Sequence, residues 1–189
     1  MNQQPIRELV VLSGKGGTGK TSVTASLAVL AGRSVLADCD VDAADLHLLL
    51  TPAVRQKNLF LSGHEAIIRQ QDCTGCGLCE ELCRFDAIRV ADGRYRVDPV
   101  GCEGCGVCHR FCPVQAIDFP ERPCGEWMIS DTRCGPMVHA QLGVAAENSG
   151  KLVATVREQA QLVAEEQQIP LIISDGPPGI GCPVIASLR

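Results

Sequence analysis

Apolar positions are regularly patterned at the two ends of this chain and lose that pattern in the middle. Near the start, Glu8–Leu12 reads as an apolar strand. A Gly-rich turn follows, then a helix over Thr21–Ala31 and a second strand, Ser34–Asp38, that ends in an acidic cluster. Strand, helix and strand in that order predict parallel pairing. Towards the other end, Glu126–Ser130 reads as a short strand. Over Gly150–Gln168, the apolar residues Leu152, Val153, Val156, Ala160, Val163 and Ala164 recur on one helical face. Asn148 or Ser149 is placed to cap that helix. Leu171–Ser174 is a buried-strand run leading into Asp175-Gly-Pro-Pro-Gly.

The middle segment is organised by repetition instead. CTGCGLCEELCRFDAI at 73–88 matches CEGCGVCHRFCPVQAI at 102–117, and every cysteine of the first copy has a partner 29 residues later. Such periodicity indicates a duplicated unit. The predicted fold class is therefore α/β, a mostly parallel sheet flanked by helices and interrupted by a small α+β insertion. Residues 1–62 and 121–189 form the host and 63–120 the insertion. An open parallel sheet would normally continue past Arg189, so the sequence is expected to be a fragment.

Composition narrows the function classes. The 189 residues carry a net charge of −5, and 46% are hydrophobic. No apolar run approaches the roughly 20 residues of a membrane span. The start, MNQQPIREL, lacks a signal-peptide layout, so a cytoplasmic site is expected. Acidity, the lack of a dense basic stretch and scarce aromatics argue against a nucleic-acid surface. Twelve cysteines would suit a disulfide framework in a small secreted chain. Their spacing of two or three residues favours metal.

Cys73, Cys76, Cys79 and Cys83 follow C-x2-C-x2-C-x3-C, and Cys102, Cys105, Cys108 and Cys112 repeat it with Pro113 after. One loop can wrap three corners of a cubane while a fourth ligand comes from elsewhere. Zinc takes compact tetrahedral sets such as paired C-x2-C, which this three-plus-one spacing does not match. Over about 50 residues the segment resembles bacterial two-[4Fe–4S] ferredoxins, with Arg84 where that motif usually has Pro. The resemblance implies that the fourth cysteine of each run binds the other cluster. One cluster then takes Cys73, Cys76, Cys79 and Cys112, and the other Cys102, Cys105, Cys108 and Cys83. Two clusters of roughly −2 each would bring the charge to about −9, which suits a basic redox partner.

Gly14, Lys15, Gly16, Gly17, Thr18, Gly19, Lys20, Thr21 and Ser22 contain G-x4-G-K-[ST] between a strand and a helix, the context a phosphate-binding loop requires. Backbone N–H groups there would cradle phosphates, Lys20 would reach the terminal ones, and Thr21 would bind Mg²⁺. The second lysine, Lys15, makes the loop resemble the deviant Walker A ATPases: Min-system and plasmid-partition ATPases, Mrp-type cluster carriers and the nitrogenase iron protein. The resemblance implies ATP as ligand and a homodimer in which Lys15 reaches the partner's nucleotide. It also implies that Asp40 positions the attacking water, that Asp38 lies near Mg²⁺, and that Asp175 holds Mg²⁺ through water. Gly176 or Gly179 would sense the γ-phosphate. Asp42 and Asp45 read as a solvated loop and a helix cap.

Together these motifs resemble a MinD/Mrp-like ATPase with an inserted ferredoxin domain. The expected function is an ATPase, with Lys15, Lys20 and Asp40 catalytic, coupling dimer switching to electron transfer towards an unidentified redox or cluster-accepting protein. The alternatives are a cluster assembly or carrier ATPase, for which Cys182 is the discriminating thiol, and a ferredoxin with a vestigial nucleotide site. Cys39, Cys124 and Cys134 are expected to be packed thiols. A second cysteine to share a dimer-bridging cluster with Cys182 would align near 147–149, where the chain has none. His47, His64, His109 and His139 show no ligand pairing.

Overall fold

A computed structural model describes residues 5–143 and 149–188. The chain forms two compact units, Met1–Phe60 with Cys124–Arg189, and Leu61–Pro123. These limits fall a few residues from those the sequence pattern predicts, because the strands on either side of the repeat are longer than the pattern indicates. The candidate cap Asn148 lies outside the described residues.

The first unit opens with β1 (Arg7–Ser13), α1 (Lys20–Ala31), β2 (Val35–Asp38), α2 (Leu46–Leu50) and β3 (Ala53–His64). After the second unit the chain resumes with β8 (Glu121–Thr132), β9 (Gly135–Leu142), α5 (Ser149–Glu166), β10 (Leu171–Pro178) and α6 (Cys182–Ala186). One six-stranded sheet has the order β1-β10-β2-β9-β8-β3. β1, β10, β2 and β9 run parallel, while β8 is antiparallel to β9.

All four residues of β2 are buried, which places it at the centre of the unit. Alternation along the strand sends its side chains to two cores. Leu36 packs with Ala25, Ala28, Leu46, Leu50, Met137 and Ile173, while Val35 and Ala37 join Leu152, Val153, Val156 and Ala160 of α5. The apolar face predicted for α5 is the buried one: Leu152, Val153, Val156, Ala160, Val163 and Ala164. Its larger side chains each contribute roughly 1.5–3 kcal/mol by leaving water. α1 buries only Thr24, Ala25 and Ala28. These small residues let its backbone lie close to the sheet.

The second unit holds β4 (Ile67–Ile68), α3 (Leu78–Glu81), β5 (Ile88–Ala91), β6 (Arg94–Val97), α4 (Val107–Phe111) and β7 (Ile117–Asp118). β4 pairs with β7 and β5 with β6, both antiparallel. The sequence repeat returns as a backbone repeat. Positive φ occurs at Gly75 and Gly104, at Gly77 and Gly106, and at Asp86 and Gln115. Gly77 and Gly106 sit at the starts of α3 and α4. The apolar core is small, Ala66, Ile68, Ile88 and Ile117, with cysteines of both runs packed against it. A core of this size leaves much of the unit's stability to the group its thiols hold.

Candidate functional site

β1 ends at Ser13, and the chain turns through the glycines into α1 at Lys20. Gly17 and Gly19 adopt φ of 73° and 85°, backbone that favours glycine although a Cβ would have room at either. The Ser13 hydroxyl donates to the Lys15 carbonyl at 2.8 Å. Beside the loop lies an open cleft of about 370 Å³. Gly16, Gly17, Thr18, Gly19, Lys20, Thr21 and Ser22 line it, with Asp40, Asp42, Asp45, Pro177 and Pro178. Gly14 and Lys15 do not line it, and Lys15 is exposed. Asp45 occupies the first position before α2, but its carboxylate makes no cap bond.

Lys20 is held between two carboxylates. Its Nζ lies 3.4 Å from Asp40 Oδ2 and 3.6 Å from Asp175 Oδ1. The Thr24 hydroxyl donates to Asp175 Oδ1 at 2.9 Å. Asp175 Oδ2 is buried and has no hydrogen-bond partner. An orphaned carboxylate oxygen of this kind fits a hydrated Mg²⁺, since burial without a partner is costly. The donor set around the loop therefore fits a nucleotide with its metal.

Asp38 is the strand partner of Asp175 and is fully buried. Its oxygens accept from the N–H groups of Asp40 and Leu46 at 3.3 and 3.2 Å. Burial, with the charge of Asp175 adding, pushes its carboxyl up to about 8. Burial also raises Asp40, against the opposing pull of Lys20. On the other side of Asp38 in the sheet stands His139, whose Nε2 lies 2.8 Å from the Ser130 hydroxyl. Burial, with His47 adding, pulls its imidazole down to about 4. This pair has no signature in the sequence, because β9 carries no alternating pattern that would mark His139 as buried.

Two N–H groups considered for phosphate sensing differ in their surroundings. That of Gly179 donates to the Ser13 carbonyl at 3.0 Å. A Cβ at Gly176 would lie 2.4 Å from Leu12 Cδ2, the movable end of a side chain, and 3.0 Å from the Val11 carbonyl oxygen.

In the second unit, Cys73, Cys76 and Cys79 line one cavity with Cys112. Thiols of both runs thus meet at one place, with Ile68, Tyr95, Pro113 and Ile117 closing the walls. Cys112 Sγ also accepts from the Ala116 N–H at 3.3 Å. Burial raises the Cys79 thiol, with Cys73 and Cys76 contributing. Burial pushes Cys108 up to about 11, with Cys102, Cys105 and Cys79 contributing. Among the described residues, no three His, Cys, Asp or Glu side chains form a site for a single metal ion. The chemistry of the donor set fits an iron–sulfur cluster. Cys83 and Cys102 are half-buried, whereas Cys76 and Cys105 are exposed.

The second loop is packed more tightly than the first. A Cβ at Gly104 would lie 2.4 Å from the His64 carbonyl oxygen, while Gly75 has open space. The Phe119 ring stacks on His64 and His109 at 4.9 and 5.5 Å. His109 Nδ1 lies 2.6 Å from the Ile117 carbonyl.

None of the twelve cysteines forms a disulfide. Cys39, Cys124 and Cys134 are buried, and Cys182 is exposed at the start of α6. Among the described residues no helix is long and apolar enough to cross a membrane.

Comparison with known proteins agrees with both motifs. Residues 66–119 match the 4Fe-4S dicluster domain family. An uncharacterised protein of Methanocaldococcus jannaschii is 37% identical over 193 aligned positions, covering 97% of this chain and 64% of the relative. A putative septum site-determining protein MinD of Oltmannsiellopsis viridis is 34% identical over 94 residues, covering 48% of this chain and 25% of the relative. The crystal structure of the cell division ATPase MinD of Pyrococcus furiosus is similar at a TM-score of 0.40 and 20% identity, covering 96% of this chain and 54% of that one. The chain therefore spans less than two thirds of the curated relatives it matches. With its glycine-rich loop and its cysteine runs taken together, the chain is similar to MinD-like P-loop proteins and carries a match to the 4Fe-4S dicluster domain.

Proposed function

We propose that this chain binds ATP with Mg²⁺ at the P-loop, holds two [4Fe–4S] clusters on its cysteine runs, and uses nucleotide binding across a homodimer to govern one-electron transfer through them. The observation that carries the reading is the cavity shared by Cys73, Cys76, Cys79 and Cys112. It favours the crosswise ligand set, with Cys102, Cys105, Cys108 and Cys83 as the second. When bound, the clusters supply reversible one-electron storage.

The remaining steps belong to the protein's own residues. The N–H groups of Gly16–Ser22 would receive phosphate oxygens, and the helix start adds favourable potential there. Lys20 would leave Asp40 and Asp175 for the phosphates. That exchange frees Asp40 to orient water and Asp175, with Thr21, to hold Mg²⁺. Lys15, exposed outside the cleft, is free to reach a partner's nucleotide. The bond from Gly179 to the Ser13 carbonyl would have to break before that N–H could report on a γ-phosphate. These properties suit a cytoplasmic protein serving a redox partner.

The test is anaerobic reconstitution followed by electron transfer to a dye acceptor with and without ATP. About eight irons per chain and ATP-dependent transfer that Lys20→Ala abolishes are expected. Transfer indifferent to ATP sinks the coupling and leaves a ferredoxin with a vestigial nucleotide site. The exposed thiol of Cys182 favours one second reading, a cluster carrier. That reading requires net loss of iron to an apo-acceptor, and Cys182→Ser would abolish the loss.

A further inference from the structure

Strands β5 and β6 form a hairpin whose two faces differ sharply. Register pairs Ile88 with Val97, Arg89 with Arg96, Val90 with Tyr95 and Ala91 with Arg94. Alternation therefore puts Ile88, Val90, Tyr95 and Val97 on one face and Arg89, Arg94 and Arg96 on the other. Ile88, Tyr95 and Val97 pack in the small core, and Tyr95 walls the cavity of Cys73, Cys76, Cys79 and Cys112. The three arginines are exposed. Only one layer of backbone separates them from that cavity wall.

Arg89 and Arg96 stand directly opposite each other. Like charges in that position work against the hairpin, so local stability does not explain them. Among the described residues, Arg96 has one distant and exposed acidic neighbour, Asp92 at 3.7 Å. Arg89 touches only the Asp86 carbonyl. Glu80, the acid whose charge reaches Tyr95, belongs to α3, against the inner face.

We propose that the outer face of this hairpin is the docking surface for an acidic one-electron carrier protein, which passes its electron through the Tyr95 wall to the cluster behind it. The proposal rests on the cluster assignment above. In the step the reduced carrier loses one electron and the Cys73–Cys76–Cys79–Cys112 cluster gains it. No bond forms or breaks, and no proton moves. The net charge of the chain, −5 and about −9 with two clusters of roughly −2 each, opposes an acidic partner at long range. Screening removes that objection at contact, because the Debye length is about 8 Å at physiological salt. At contact the outer face presents the guanidiniums of Arg89, Arg94 and Arg96 with Asp92 beside Arg96, and arginine suits carboxylate recognition through its paired donors.

The test uses the reconstituted holoprotein and a reduced, strongly acidic flavodoxin as probe, with cluster reduction followed by stopped-flow absorbance. Iron and sulfide analysis comes first; clearly fewer than about eight irons per reconstituted chain refutes the cluster assignment and this proposal with it. Once that control is passed, flavodoxin reduction should slow with added salt, and R89E/R96E should lower its second-order rate about tenfold or more at low salt. R89Q/R96Q, which introduces no new repulsion between strands, should lower it by a smaller factor. R33E/R133E makes the same change in net charge on exposed residues of the first unit and should leave the rate alone. Equal slowing by R33E/R133E and R89E/R96E overturns the proposal, since net charge alone then governs. So does a rate that ignores the hairpin variants, including the case where the face binds anionic vesicles instead.

Discussion

Asp38, at the end of β2, and Asp175, within β10, are strand partners, two carboxyl groups side by side and both fully buried. Among the described residues, the cation that reaches the pair is Lys20, through Asp175. Asp38 answers by keeping its proton up to about pH 8. A buried acid in this state makes the site sensitive to pH and to any cation that enters.

Stability of the nucleotide-free protein should carry that signature. Asp38 has its folded value raised above the unfolded one, so its contribution is full below about pH 4 and declines as pH climbs to about 8. The slope is at most about 1.4 kcal/mol per pH unit. His139 has the opposite sign. Its value is depressed to about 4, so its contribution is full above about 6.5 and fades as pH falls towards 4. Denaturant titrations at pH 5 and pH 8 should show Asp38→Asn flattening the loss towards alkaline pH, and His139→Gln flattening the loss towards acid. Parallel pH profiles for wild type and Asp38→Asn would refute the assignment.

Removing Lys20 should cost more than the ion pair it makes. Its side chain is 7% exposed and that of Asp175 is 1%, so Lys20→Ala leaves buried carboxylates uncompensated. The expected loss is about 2–4 kcal/mol. Mg²⁺ should restore part of it, because Asp175 Oδ2 has no hydrogen-bond partner among the described residues. Thermal scans of wild type and variant, with and without Mg²⁺, measure the loss and the recovery.

How much of this was legible in the sequence depends on the kind of signal. The buried face of α5 was, because six apolar residues recur at helical spacing. The repeat was, because cysteines at fixed intervals leave few physical options. The sequence pattern does not mark β3, since Arg55, Gln56, Lys57 and Asn58 break apolar alternation although they lie in the outermost strand, where charge guards an open edge. β9 was missed because Pro136 and His139 interrupt an otherwise apolar run. The lengthening of β8 beyond Glu126–Ser130 to cover Gly125–Thr132 follows from its pairing with β9, which no local pattern encodes. The meeting of Asp38 with Asp175 depends on strand order, and 137 residues separate them in the chain. The basic hairpin escaped notice because Arg89 and Arg96 become neighbours only through register.

The cysteine cavity makes a prediction about which variants should resemble one another. If Cys112 serves the loop of Cys73, Cys76 and Cys79, the low-temperature EPR spectrum of reduced Cys112→Ser should match that of Cys76→Ser. Cys83→Ser should match Cys105→Ser. Matching within each run, Cys112→Ser with Cys105→Ser, would mean that the ligands do not cross. Ser is used because it keeps the volume of the thiol and replaces only the metal donor.

The same repeat supplies a paired test of packing. Gly75 and Gly104 are equivalent positions with φ of 70° and 62°, so alanine pays the left-handed penalty of about 1–2 kcal/mol at both. Only at Gly104 would the new Cβ also press on backbone, 2.4 Å from the His64 carbonyl oxygen. A carbonyl in that position cannot swing aside as a flexible side chain can. Gly104→Ala should therefore destabilise the holoprotein by clearly more than Gly75→Ala, by about 1–3 kcal/mol beyond the shared penalty. Equal melting temperatures for the two variants would show that the second loop yields as easily as the first. Its stacking on His64 and Phe119 would then not be what holds it.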